Sequence, residues 1–186
     1  LNLLEAVRTG SPRTRLIFSS TGGAVYGDFD PPPSRETFEK NPESPYGIAK
    51  LSVEYYLAYY ARVHGLDVAA LRYANVYGPR QDPHGEAGVV AIFCECLLSG
   101  KSLRIFGDGS QTRSFCYVDD LIDGALKLMA SPEGVTGPIN VGNPKEFTMI
   151  ELAQAVIRLT GSKSKLVHMP LPQDDPKQRQ PNIDKA

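Results

Sequence analysis

The sequence predicts an α/β fold built on a doubly wound parallel sheet. Three observations predict it. Short apolar runs such as "RLIFSST" and "LDVAALRYANVYG" alternate with longer stretches of helical periodicity, the pattern of parallel strands joined by crossover helices. Those runs are close to continuously apolar, as strands covered on both faces are. The helical stretches are numerous enough to cover both faces.

In order, residues 1–8 ("LNLLEAVR") carry apolar side chains at positions 1, 3, 4 and 7. That fits the end of a helix, with Gly10 as its cap. "RLIFSST" reads as a buried strand running into a turn. Residues 28–45 hold five prolines and several charges and predict a surface loop. A long helix follows over 46–64, with Gly65 as its stop. "LDVAALRYANVYG" reads as one buried strand ended by Gly78-Pro79. "GVVAIFCECLLSGK" has helical spacing and a stop at Gly100, and "SLRIFGDGSQTRSFCYV" predicts short strands about the Gly107-Asp108-Gly109 turn. "VDDLIDGALKLMAS" is a helix whose acidic start complements its dipole, and "PINVG" is a short buried strand. "TMIELAQAVIRLTG" is an amphipathic helix with Thr148 as N-cap and Glu151 at the capping-box position. From Ser162 the chain is polar and proline-containing.

The 186 residues suffice for one domain with a sizeable core. A formal net charge of −1 gives no electrostatic case for nucleic acid or an anionic membrane. No apolar run approaches the ~18–20 residues of a membrane span. Cys94, Cys96 and Cys116 form no CxxC pair; they read as reduced thiols of a cytoplasmic protein, and no metal site is expected. The opening "LNLLEAVR" lacks an initiator methionine and the closing "PNIDKA" is polar, which gives the expectation of a part of a larger protein. No GxGxxG phosphate loop occurs in the sequence.

The stretch "SPYGIAK" sets Tyr46 and Lys50 four apart, on one face of the expected helix. A free phenol titrates near pH ~10 and is a poor base at neutral pH. A neighbouring cation favours the phenolate and makes such a group a usable proton acceptor from an alcohol. On spacing alone a solvent-exposed Tyr–Lys pair is an equal reading. Ser19, Ser20 and Thr21 stand at the carboxyl end of the preceding strand, where open α/β sheets bind ligands, although hydroxyl residues also suit a plain turn. Asn75 offers an amide at the end of the next strand.

"SST…VYG", then Tyr46-Gly-Ile-Ala-Lys50, then "RYANVYGPRQDPHGEAGVV" resemble the extended short-chain dehydrogenase/reductase family, in its nucleotide-sugar epimerase/dehydratase branch. The agreement in order and spacing covers nearly the whole chain. The resemblance implies a partial Rossmann-like sheet with a small C-terminal substrate-binding region. Residues 1–80 would be the C-terminal part of an NAD-binding domain. Residues 81–186 would mainly bind nucleotide sugar, with 115–145 returning to the sheet. It implies Tyr46 as acid/base, Lys50 as its cationic, ribose-binding partner, and Thr21 with Ser20 holding the sugar hydroxyl. Ser19, Tyr73 and Ala74 would lie beside the cofactor NAD. Asn75, Val90, Phe106 and Gln111 would line the UDP-sugar pocket, and Arg113 and Arg179 would meet the diphosphate, although Arg179 reads equally as part of a solvated charge run.

The two halves resemble different members of the branch. "SSTGGAVYGD" is similar to UDP-glucose 4-epimerases, while "GDGSQTRSFCYVDDLIDGALKLM" and "LPQDDPKQRQPNIDKA" are similar to UDP-glucuronate decarboxylases. The resemblance implies C4 oxidation to a 4-keto sugar in either case. Dehydratases and decarboxylases carry an acid in the loop after the threonine, whereas here Gly22-Gly23-Ala24 follows Thr21. That favours the epimerase. The decarboxylase stands as one alternative, and a truncated, non-catalytic fragment as another. A homodimer through the helix of Tyr46 and residues 87–100 is expected, with contributions from Tyr55, Tyr56, Tyr59 and Tyr60, although some of these tyrosines read rather as a core stripe.

Overall fold

The computed structural model describes residues 1–27, 32–85, 88–171 and 178–186. The first part of the proline-rich loop, Ala87 and the "PQDDPK" stretch of the tail lie outside the described residues. The elements are α1 (Asn2–Gly10), β1 (Leu16–Thr21), α2 (Pro45–His64), β2 (Val68–Tyr73), β3 (Asn75–Tyr77), α3 (Val89–Leu98), β4 (Leu103–Phe106) and β5 (Thr112–Tyr117). They continue with α4 (Val118–Met129), β6 (Ile139–Val141), β7 (Glu146–Thr148), α5 (Met149–Thr160), β8 (Leu166–Met169) and β9 (Gln178–Arg179).

β1, β2 and β6 form a parallel sheet in the order β1-β2-β6. Side chains of a strand alternate between faces, and β2 follows that rule closely. Val68 and Ala70 pack on one face with Leu4 of α1 and Leu57 and Tyr60 of α2. Ala69 and Leu71 pack on the other with Leu128 of α4 and Ile139. Helices thus cover both faces, and β2 is apolar over residues 68–71 because both of its sides are interior. A second core of Phe93, Leu97, Leu103, Ile105, Ala153 and Val156 joins α3, β4 and α5.

The long helix is fixed by its ends. Ser44 accepts a hydrogen bond from the Gly47 amide, Pro45 occupies the first turn, and Gly65 closes the helix at φ 66°, a conformation that costs glycine little. α5 carries the expected capping box between Thr148 and Glu151.

Two expectations require correction. α1 continues through Gly10 and is capped by Ser11. "LDVAALRYANVYG" is not one strand. It breaks at Ala74, whose amide donates to Val141 O at 3.1 Å, and β3 leaves to pair with β5. The chain there passes from one sheet to another. The polar tail adds two strands: β8 pairs in parallel with β4, and β9 pairs with β5. The described part of the proline-rich loop lies at the surface as expected, with no buried residue, and it ties to the core where the Glu36 carboxylate accepts from the buried Asn140 amide at 2.8 Å.

Candidate active site

β1 and β2 end side by side, with Thr21 opposite Tyr73. The Gly22 amide then donates to Tyr73 O at 2.8 Å. A Cβ at Gly22 would stand 3.2 Å from that same oxygen, and one at Gly23 would stand 3.1 Å from Cδ of Arg179. The two glycines therefore let the strand end and the tail arginine close on the loop.

The first turn of α2 faces this loop and presents Tyr46, half of whose surface is exposed. One turn on, Lys50 Nζ donates to Ser19 O at 2.8 Å and stands 5.0 Å from the Phe18 ring centroid and 5.6 Å from that of Tyr46. The expected Tyr–Lys pair is thus held against the strand end. The Ser19 hydroxyl and the Tyr73 phenol are 3.0 Å apart. Thr21 Oγ1 accepts from the Gly23 amide at 3.3 Å.

A cavity of about 1190 Å³ opens over this edge. Its wall includes Ser20, Thr21, Tyr46, Tyr73, Ala74, Asn75, Val90, Phe106, Gln111, Arg113 and Arg179, so eleven of the expected residues converge on one space. Asn75 Nδ2 donates to Ser114 O at 3.2 Å, and Gln111 Nε2 donates to Phe106 O at 3.0 Å. Arg113 is buried and donates to Thr112 O at 2.7 Å. Arg113 and Arg179 are register partners on β5 and β9, which brings two guanidinium-bearing residues together at the cavity wall. Paired arginines suit the oxygens of a diphosphate.

Ser20 lies at the cavity wall with its hydroxyl engaged from beneath. Its hydroxyl donates to Glu54 Oε1 at 2.5 Å, and the residue is buried. Strand alternation explains this: Ser20 points toward α2 with Phe18. Sequence reasoning missed its partners. Arg72 sits opposite Ser20 across the sheet and donates from Nε to Glu54 Oε1 at 3.0 Å and from Nη2 to Glu54 Oε2 at 2.6 Å. Arg72 Nη1 donates to the Tyr26 hydroxyl at 2.8 Å, which donates on to Asn140 Oδ1 at 2.8 Å. Burial opposes the Arg72 charge, but the bonds to Glu54 and the nearby Tyr26 outweigh it and hold its pKa above the usual range. Burial pushes the Tyr26 phenol up as well. A signal for Glu54 did exist in the sequence, because it follows Tyr46 and Lys50 at the same four-residue step.

Residues 1–142 match the NAD dependent epimerase/dehydratase family. The chain belongs to that family. Its relatives within the family include a UDP-glucose 4-epimerase of Mycolicibacterium smegmatis, 44% identical over 87% of this chain and 51% of that protein. UDP-glucuronic acid decarboxylase 5 of Arabidopsis thaliana is 40% identical over 100% of this chain and 54% of its own length. The chain spans about half the length of these curated relatives. Among solved structures, the UDP-glucose 4-epimerase of Thermotoga maritima with UDP-glucose superposes with a TM-score of 0.93, at 43% identity, over 99% of this chain and 59% of that one. The Thermus thermophilus UDP-glucose 4-epimerase in complex with NAD gives 0.90 at 39% identity, over 99% and 60%. The epimerase/dehydratase fold is therefore that of a Rossmann-type α/β enzyme.

Proposed function

We propose that the full-length protein is an NAD-dependent UDP-sugar 4-epimerase that interconverts UDP-glucose and UDP-galactose. The observation that carries this reading is the loop from Thr21 to Ala24, which follows the strand end beside Tyr46 and bears no carboxylate. Dehydration needs additional acid/base carboxylates, and the decarboxylase pattern includes an acid in this loop. Epimerisation needs a proton acceptor, a hydroxyl anchor and room for the sugar to turn over. Tyr46 is the acceptor, deprotonating the C4 hydroxyl as the bond to hydride breaks and returning that proton after the keto sugar has turned. Thr21 anchors the same oxygen. Lys50 orients the pair from its seat on Ser19 O. Asn75, Val90, Phe106 and Gln111 line the UDP-sugar pocket, and Arg113 and Arg179 hold the diphosphate.

The residues fit the nicotinamide end of the cofactor. Ser19, Tyr73 and Ala74 gather at the strand edge beside Lys50, and Gly142 leaves space that a Cβ would fill, 2.6 Å from Ala74 Cβ. Bound NAD would take up the C4 hydride and give it back to the opposite face of the sugar. We assign residues 1–80 to the cofactor domain and 81–186 mainly to the nucleotide-sugar region, with 115–145 in the cofactor sheet. We also assign a cytoplasmic homodimer. Three unpaired thiols support the compartment, and the exposed Tyr55, Tyr56 and Tyr59 on α2 support the pairing.

A UDP-glucuronate decarboxylase is the second reading, favoured by the relatives that match this chain through its tail. Assaying the full-length protein with UDP-glucose and UDP-glucuronate separates the two. UDP-galactose with little carbon dioxide is expected, and carbon dioxide with UDP-xylose as the main products would defeat the epimerase.

A further inference from the structure

We propose that Glu54 is a positioning residue for the acid/base machinery, holding the face of α2 that carries Tyr46 in register against β1. This rests on the functional reading above, which makes Tyr46 and Thr21 reacting groups.

Tyr46, Lys50 and Glu54 occupy successive turns on one face of α2. Two of these three grip adjacent residues of β1. Lys50 holds the backbone oxygen of Ser19, and Glu54 holds the hydroxyl of Ser20. The third, Tyr46, stands by the next residue, Thr21, at the cavity. A single attachment lets a helix pivot about it; two attachments one turn apart fix both its slide and its rotation. The second attachment is the stiffer, because Glu54 is itself clamped by two bonds from Arg72 on the neighbouring strand. Glu54, Arg72 and Ser20 are all buried, so water offers no substitute partner.

The remaining groups facing Glu54 and Arg72 complete the clamp from every side. Tyr26 accepts from Arg72, its ring centroid 4.9 Å from the guanidinium carbon. Lys40, from the proline-rich loop, donates to Glu36 O at 2.9 Å and is held below its ordinary pKa by burial and by the Arg72 charge. Asn140 ties Tyr26 to Ser34 O and Asn182 O at 2.9 and 3.1 Å. Replacing a buried ion pair by apolar residues often leaves a fold as stable as before, so stability alone gives no reason for a charged pair under this helix. Geometry does: a misplacement on the order of 1 Å at a reacting group costs about 10²-fold in rate.

The test uses the full-length holoenzyme with three variants, Glu54→Gln, Ser20→Ala and Tyr46→Phe. Glu54→Gln keeps the shape of the side chain and removes its charge. Ser20→Ala leaves the ion pair intact and cuts only the link to β1, so it decides the matter if Glu54→Gln does not fold. Well below the melting temperature, Ser20→Ala is expected to lose roughly tenfold, and Glu54→Gln about 10²-fold, in kcat, with KM for the UDP-sugar changed by less than about threefold. The ¹³Cζ resonance of Tyr46, assigned by its disappearance in Tyr46→Phe, is expected to move in both positioning variants. Unchanged kcat and an unmoved Tyr46 resonance in Ser20→Ala would overturn the proposal, whatever happens to stability. A fully active Tyr46→Phe would defeat the functional reading instead, and the Tyr46 resonance would still decide whether Glu54 positions that ring.

Discussion

Gly47 follows the proposed acid/base tyrosine on α2, and replacing it by alanine reverses an ordinary rule. Inside a helix, alanine is favoured over glycine by about 1 kcal/mol. Here a methyl built on Gly47 would stand 2.4 Å from Ala24 O, 3.1 Å from Ala24 C and 3.0 Å from Pro42 Cβ. Ordinary contact begins at 3.4 Å, so the helix start and the loop must part by 3.4 − 2.4 = 1.0 Å. The loop cannot yield freely, because the Gly22 amide is bonded to Tyr73 O. Overpacking of this kind costs about 1–3 kcal/mol. With backbone on the opposing side the upper end applies, and after the helix gain the net destabilisation is about 2 kcal/mol. The same parting separates Tyr46 from Thr21, so activity falls by about 10²-fold. Urea unfolding and epimerase turnover of the full-length protein measure the two effects. Ser52→Ala, an exposed position on the same helix, serves as the control that leaves the Gly47 contact untouched. A Gly47→Ala protein as stable and as active as the parent would refute the reasoning.

Tyr46→Phe deletes only the phenolic oxygen, so NAD and UDP-sugar binding should persist while turnover falls by ~10²–10⁴-fold or more; a fully active variant contradicts the proposed mechanism. Arg179→Ala should weaken UDP binding by about 10- to 10²-fold, the worth of a charge-assisted bond, and calorimetry showing unchanged affinity would remove Arg179 from the diphosphate site. The Glu5 carboxyl is lowered from 4.5 to about 2, chiefly by the Arg8 guanidinium and then by the Tyr60 hydroxyl. Its folded pKa lies below its unfolded one, so its contribution is present above about 4.5 and is lost as pH falls through about 2. Thermal melts between pH 5 and 2 should therefore decline less steeply for Glu5→Gln than for the parent, and parallel curves would show that the pair does not couple to folding.

Much of the site was legible because its residues stand at strand ends and on one helix face, where spacing alone brings them together. Tyr46 and Lys50 needed only the helical repeat, and Thr21 and Asn75 only the rule that ligands meet the carboxyl edge of a parallel sheet. The bond from Ser20 to Glu54 was not legible, because neighbouring strand residues face opposite ways and adjacency in sequence hides that inversion. Arg72 and Glu54 could not be paired from sequence, since 18 positions and a loop separate them. The tail strands escaped notice because β8 and β9 owe their conformation to partners far away. β8 carries only four residues, most of them exposed, and local propensity holds little information about such an element.

The Asn140 amide has a consequence in time. It joins Ser34, 106 positions earlier, to Asn182, 42 positions later, and the Ser34 amide itself donates to Gln180 O. At about 5–20 residues per second, the 182 − 34 = 148 residues between those partners take roughly 7–30 s to synthesise. Throughout that interval the proline-rich loop has no tail to pair with, and the β5 edge that receives Arg179 stands open from the time β5 is made until β9 follows. A ribosome stalled before position 178 would display Tyr46, Lys50 and Arg113 without the strand that lines up the second arginine. The second arginine of the cavity wall thus arrives late, and a nascent chain has its proposed catalytic pair well before Arg179 comes into register with Arg113.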